Sequence, residues 1–215
     1  ASRAYLPKSL WKKIEERMIP EVKSIAMGDV RDFRNFMNAV IDQRSFKKIS
    51  GYLHHAEESP DAKILAGGKA DESKGYFIEP TVILANQPKY KSMVEEIFGP
   101  VLTCYVYDDN KLDETLKVCD ESTAYALTGA IFAQDRYAVD KMSNSLRNAA
   151  GNFYINDKCT GAVVGQQPFG GGRASGTNDK AGSSLNLNRW LSPRTIKEAL
   201  VPPKDYRYPF MSGKD

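Results

Sequence analysis

Strand-like runs take turns with helical runs of about ten residues along most of this chain, and that alternation restricts the fold. Residues 101–107, Val-Leu-Thr-Cys-Tyr-Val-Tyr, are rich in β-branched and aromatic side chains and form the clearest strand; Asp108-Asp109-Asn110 ends it. A helix is expected over 112–119, a strand over 127–133, a helix over 137–146 and a strand over 152–156. Upstream, Leu10, Ile14, Met18 and Val22 recur every four residues, which predicts a helix over 9–25 with Ser9 as N-cap and a kink or break at Pro20. Phe46, Ile49 and Leu53 mark a second helix over 45–55. Residues 63–66 and 76–84 read as extended, the latter broken by Pro80. The pattern predicts an α/β fold with a mainly parallel sheet. No repeat at a period of 20–50 residues interrupts it.

From Asp157 to Ser184 the texture changes to Gly, Ser, Thr and Asn with few large aliphatics, the composition of a long functional loop. Residues 195–201 have the composition of one last strand, which at a chain end would need a partner sheet such as one on another subunit.

The net charge of +3 is small for 215 residues, and Lys and Glu are interspersed, so nothing argues for nucleic acid. No apolar run approaches the roughly 20 residues of a membrane span. Cys104, Cys119 and Cys159 fit no zinc spacing, and reduced thiols in a cytosol-like compartment are the simplest reading. His54-His55 reads as a solvated helical pair. Cys159 follows Lys158, whose ammonium could lower a thiol pKa, but no His is near and a nucleophilic role is not favoured. The start, Ala1-Ser2-Arg3-Ala4-Tyr5-Leu6-Pro7, has neither a signal-peptide core nor an initiator Met, so the chain reads as cut from something longer.

Three stretches carry candidate chemistry. In Glu95-Glu96-Ile97-Phe98-Gly99-Pro100-Val101 a Gly-Pro turn feeds a strand and could hold Glu96 and Phe98 rigidly. A carboxylate there can accept from sugar hydroxyls, and an aromatic can pack on a flat ring. The plainer alternative is a charged turn and a core Phe. In Gln166-Gln167-Pro168-Phe169-Gly170-Gly171-Gly172, three glycines permit close backbone approach, with Phe169 as a pocket wall; a flexible loop is the alternative. The spacing is neither the dinucleotide fingerprint nor a P-loop. Asn152 to Asp157 is a strand ending in Asn-Asp, and ligands of open α/β sheets sit beyond such strand ends, here at Asn156 and 158–165.

Together these stretches resemble the aldehyde dehydrogenase superfamily, and the run from Asn152 through Lys180 is similar to its Δ1-pyrroline-5-carboxylate dehydrogenase branch. The resemblance extends from Ser2 to about Phe210. It implies that residues 1–190 are the post-nucleophile, carboxy-terminal part of the catalytic domain and that 191–215 form an oligomerisation strand and tail. It implies an NAD-dependent parent enzyme that oxidises L-glutamate γ-semialdehyde to L-glutamate, in a homo-oligomer, in the bacterial cytoplasm or the mitochondrial matrix, the cytoplasm being preferred. By the same resemblance Glu96 contacts the nicotinamide ribose and Phe98 positions the nicotinamide end. Gly161 and Ala162 anchor the substrate carboxylate through backbone N–H groups, and Phe169 packs on its aliphatic stem. Ala162 stands where some members have Ser, which removes a hydroxyl donor. No catalytic side chain falls within the chain, because the family's Cys nucleophile precedes the stretch matching Ser2-Arg3. The piece alone is therefore expected to be inactive. If the resemblance holds, Glu96, Gly161 and Phe169 converge on one cleft. Two alternatives stay open: a non-enzymatic scaffold or interaction fragment, and an aldehyde dehydrogenase for another semialdehyde.

Overall fold

The computed structural model describes residues 1–160, 162–163 and 165–213. Strand β1 (Arg3–Pro7) passes directly into helix α1 (Lys8–Lys23). Helix α2 (Gln43–Glu58) follows, then β2 (Ala62–Ala66), the short β3 (Ala70–Asp71) and β4 (Phe77–Ile78), and β5 (Thr81–Ala85). Helix α3 (Lys91–Val94) leads through a turn to β6 (Val101–Tyr107) and α4 (Leu112–Glu121). The remainder is β7 (Tyr125–Ala126), β8 (Thr128–Ile131), α5 (Arg136–Ser145), β9 (Asn152–Ile155) and β10 (Gly172–Arg173).

The main sheet has the order β1-β6-β5-β2. Its first three strands are parallel, with Arg3 beside Thr103 and Thr81 beside Val101, and β2 is antiparallel to β5. Side chains alternate across it, as a two-residue period requires. Ile83, Ala85, Val101 and Tyr105 face α2, where Phe46, Ile49, Leu53 and Ala56 form the buried stripe. Val82, Cys104, Ala4 and Leu6 face α1 through Trp11, Met18 and Val22. The result is a helix–sheet–helix sandwich, and each fully buried Ile or Leu in it contributes about 1.5–3 kcal/mol. A second unit pairs β8 with β9 in parallel and packs α4 and α5 over Leu116, Ile131, Val139 and Leu146. No helix among the described residues is long and apolar enough to cross a membrane.

Two expectations need correction, and a third is not met within a single chain. Ser9 is not an N-cap: Pro7 occupies that position, and the Ser9 N–H donates to Asp109 Oδ2 at 3.0 Å, so the first-turn donor is satisfied from the end of β6. Pro20 does not split α1, which continues to Lys23. Pro20 and Glu16 are both exposed, so water can reach the carbonyl that loses its helical donor. Residues 195–201 are exposed and join no sheet among the described residues, so within a single chain their backbone has no ladder.

Candidate active site

The Glu95–Val101 stretch runs from the end of α3 to the start of β6, and its geometry follows from one buried anchor. Ile97 is inserted into the core at 2% exposure, which turns Glu96 and Phe98 outward on either side. Phe98 is 84% exposed and adopts φ 60°, a left-handed conformation uncommon for a bulky residue. The next position has no room for a side chain, because a Cβ on Gly99 would lie 2.5 Å from Ile49 Cδ1. Pro100 O accepts from Thr81 N at 2.8 Å and ties the turn to the adjacent strand.

Helix α2 supplies two further restraints, four residues apart and therefore on one face. Lys48 Nζ donates to the Glu96 carbonyl oxygen at 2.7 Å. The Tyr52 hydroxyl donates to the Glu95 carboxylate, and Lys91 Nζ sits 5.1 Å from the Tyr52 ring centroid. Partial burial first, and then the Glu95 carboxylate, push the Tyr52 hydroxyl up to about 12. It therefore remains a proton donor throughout the physiological range.

These groups form one wall of an open cleft of about 500 Å³, lined by Lys48, Tyr52, Glu95 and Glu96 and faced by 121–125. The facing wall continues into β7, which pairs with β10 through Tyr125–Arg173 and Ala126–Gly172. Arg173 clasps Asp120 through Nη2 to Oδ1 and Nη1 to the carbonyl, both at 2.6 Å, and Ala126 N donates to Ser175 Oγ at 3.0 Å. The glycine loop is thereby fastened behind this wall.

Of the sequence candidates, Glu96 lines the cleft; Phe98, Ala162 and Phe169 are not among its lining residues. Ala162 is half-buried, and Phe169 is 41% exposed in a bridge to Ala181. Gly161 lies outside the described residues, so the expected meeting of Glu96, Gly161 and Phe169 on one cleft is not tested by this structure. Asn156 does stand just past the carboxyl end of β9. With φ 56° its carboxamide bonds both Ala133 N and Ala133 O at 2.9 Å, closing the end of the β8–β9 pair. His54 and His55 are exposed; His54 pairs with Glu58 at 3.3 Å and His55 stacks on Tyr90. Burial raises the Cys104 thiol to about 11 and also raises Cys119, so neither is poised as a thiolate.

Sequence reading passed over Lys48 and Tyr52. The available signal was their spacing of four on α2, which shows a shared face but not what that face meets.

A model described as the aldehyde dehydrogenase family matches residues 1–196. The chain belongs to the aldehyde dehydrogenase family. Among relatives in that family, it is 64% identical over 210 residues to the mitochondrial Δ1-pyrroline-5-carboxylate dehydrogenase of Dictyostelium discoideum, covering 98% of this chain and 38% of that protein. The crystal structure of the Mycobacterium tuberculosis Δ-pyrroline-5-carboxylate dehydrogenase superposes with a TM-score of 0.85 at 46% identity, over 100% of this chain and 39% of that one. The same enzyme bound with NAD gives 0.83 at 46% identity, over 99% and 38%. The chain thus spans under two-fifths of the length of these aldehyde dehydrogenases.

Proposed function

We propose that the protein carrying these residues is an NAD-dependent dehydrogenase that oxidises L-glutamate γ-semialdehyde to L-glutamate, the second step of proline breakdown. What supports this most is the Glu96–Phe98 turn within a chain that matches Δ1-pyrroline-5-carboxylate dehydrogenases end to end. An exposed carboxylate and an exposed ring are held rigidly on either side of a buried isoleucine.

These groups fit the nicotinamide end of a dinucleotide. Glu96 would accept from the ribose hydroxyls, and Phe98 would pack against the flat ring. NAD supplies the hydride acceptor. On the substrate side, the Gly161–Ala162 backbone would hold the α-carboxylate, since fixed N–H donors suit an anion. Phe169 would cover the aliphatic stem and exclude water. Covalent capture of the aldehyde falls to a cysteine outside the three present here, and the buried, protonated state of Cys104 agrees with that. Residues 1–190 would form the carboxy-terminal part of the catalytic domain. Residues 191–215, with Ile196, Leu200 and Val201 exposed, would build a strand against a second subunit. The compartment in this reading is the cytoplasm or the mitochondrial matrix.

The test is NADH formation by the intact protein, followed at 340 nm with glutamate semialdehyde and with succinate semialdehyde. Preference for glutamate semialdehyde is expected; turnover confined to another aldehyde would overturn the substrate, and no NAD reduction with any aldehyde would overturn the activity. Residues 1–215 produced alone are expected to form no NADH.

A further inference from the structure

The backbone around Phe169 is tied down more completely than a surface loop requires. Asn152, 8% exposed on β9, straddles it with one carboxamide: Nδ2 donates to Pro168 O at 3.1 Å, and Oδ1 accepts from Gly170 N at 3.0 Å. Phe169 spends both of its own backbone groups on Ala181, donating at 2.8 Å and accepting at 2.7 Å. Lys180 Nζ then donates to Gly170 O at 3.3 Å and to Gly151 O at 2.5 Å. Every backbone donor and acceptor from Pro168 O through Gly170 O is therefore bonded within the protein. The two segments also touch directly, since a Cβ on Gly151 would stand 1.9 Å from Gly170 O.

The segment that supplies these restraints is itself strained. Arg173 and Lys180 adopt φ of 53° and 58°, left-handed conformations that residues other than Gly, Asn and Asp rarely hold. Such outliers persist where surrounding contacts over-determine them, and they concentrate at functional sites. Against this fixed backbone, the Phe169 ring remains 41% exposed. The structure immobilises the main chain and presents the side chain.

We propose that Asn152 and Lys180 are positioning residues for the substrate wall: through their grip on Pro168–Gly170 they set where the Phe169 ring stands, and so which semialdehyde chain length the pocket accepts. This rests on the reading of Phe169 as the wall against the aliphatic stem. A hydrophobic pocket distinguishes one methylene by roughly 10–200-fold, and only while its walls stay in place. Lys180 carries the larger share, because its ammonium joins carbonyls on both sides of the contact and its own backbone is held in a costly conformation. Asn152 fixes the pitch of the loop by bonding it on both flanks of Phe169.

The test uses the intact protein with Lys180→Met, Asn152→Ala, Phe169→Ala and the double variants, each checked for native circular dichroism. Lys180→Met and Asn152→Ala are expected to raise KM for glutamate semialdehyde about tenfold, to reduce discrimination against succinate semialdehyde, and to leave KM for NAD within about twofold. Lys180→Arg, which keeps a cation able to reach two carbonyls, should restore at least half of the lost discrimination. Asn152→Asp, which keeps the acceptor for Gly170 N, serves the same measurement if Asn152→Ala does not fold. In the Phe169→Ala background neither substitution should change KM further. Unchanged semialdehyde KM, equal loss for both substrates and NAD, or a full effect persisting without the Phe169 ring overturns the proposal. If Phe169→Ala alone leaves semialdehyde kinetics untouched, it is the pocket reading that falls, and the positioning role falls with it.

Discussion

Arg3 and Met93 are 90 residues apart in the chain, and the guanidinium Nη1 of one donates to the carbonyl oxygen of the other at 3.3 Å. The same guanidinium reaches Cys119 O through Nη2 at 3.2 Å. Met93 lies just before the turn that carries Glu96, and Cys119 just before the facing wall at 121–125. One side chain on β1 thus staples both walls of the cleft. Replacing Arg3 by Met keeps the aliphatic stem but leaves two carbonyls without their charged donor, for an expected loss of about 2–3 kcal/mol. Lys, with one compact ammonium, should recover part of it. Urea unfolding of the intact protein measures this as a lower midpoint at constant slope. An unchanged midpoint would show the staple to be idle.

Tyr52 makes a prediction at high pH. Its folded-state pKa is raised, from 10 to about 12, so the neutral hydroxyl is the favoured form. The stability linked to it is complete below pH 10 and is lost as pH rises through about 12. Burial also raises Tyr5 and Tyr107, so an absorbance titration near 295 nm should show late tyrosine ionisation whose amplitude Tyr52→Phe lowers by one tyrosine. Glu95→Gln should move the Tyr52 contribution only part of the way back, because burial is the larger cause and remains. A late amplitude unchanged in the Tyr52→Phe protein refutes the assignment.

Glu96 and Phe98 separate binding from folding. With Glu96 accepting from the nicotinamide ribose as proposed, Glu96→Gln would replace a charge-assisted hydrogen bond with a neutral one, a difference of about 1 kcal/mol, or roughly fivefold in KM for NAD. Phe98→Gly removes a left-handed strain of about 1–2 kcal/mol and adds unfolded-state freedom of about 0.5–1 kcal/mol. Folding stability should change by under about 1 kcal/mol while NAD binding weakens. A stability loss above about 2 kcal/mol would mean that the ring is packed, contrary to its exposure.

Gly99 faces Ile49 closely enough to test by overpacking. Gly99→Ala would place its methyl 2.5 Å from Ile49 Cδ1 and 2.9 Å from Cγ1, at an expected cost of about 1–3 kcal/mol. Ile49→Val, alone about 1 kcal/mol destabilising, deletes Cδ1. The double variant should melt higher than the two losses added together, with a coupling of at least about 0.5 kcal/mol. Strict additivity in thermal melts would rule out the clash.

The elements most legible in the sequence were those whose cause is local. Strand β6 was read with its observed bounds because β-branched and aromatic residues fill it and Asp108 closes it. Helix α2 was read from its stripe but began two residues earlier and ended three later, Asp42 capping Ser45 N at 2.7 Å. Strand β1 went unread: Arg3–Pro7 is short and half-buried, and it becomes a strand by lying beside β6. The helix that follows takes its cap from Asp109, which spacing near Ser9 cannot reveal. Residues 195–201 have strand composition without a strand beside them. The site divides in the same way. The Glu95–Val101 turn was visible as a motif, whereas the Tyr52 bond to Glu95 and the grip of Asn152 and Lys180 on Phe169 join segments brought together only by the fold.

The register of β1 against β6 also sets a timetable. Arg3 cannot find Thr103 until 100 further residues have been made, about 5–20 s of synthesis at ordinary ribosome speeds. Through that interval Leu6, Trp11, Met18 and Val22 have no β6 to cover them, and a nascent chain in this state is a natural client for a holding chaperone. Stalling translation before residue 101 should therefore yield a sticky, protease-sensitive product, and releasing the stall beyond residue 107 should allow it to become soluble.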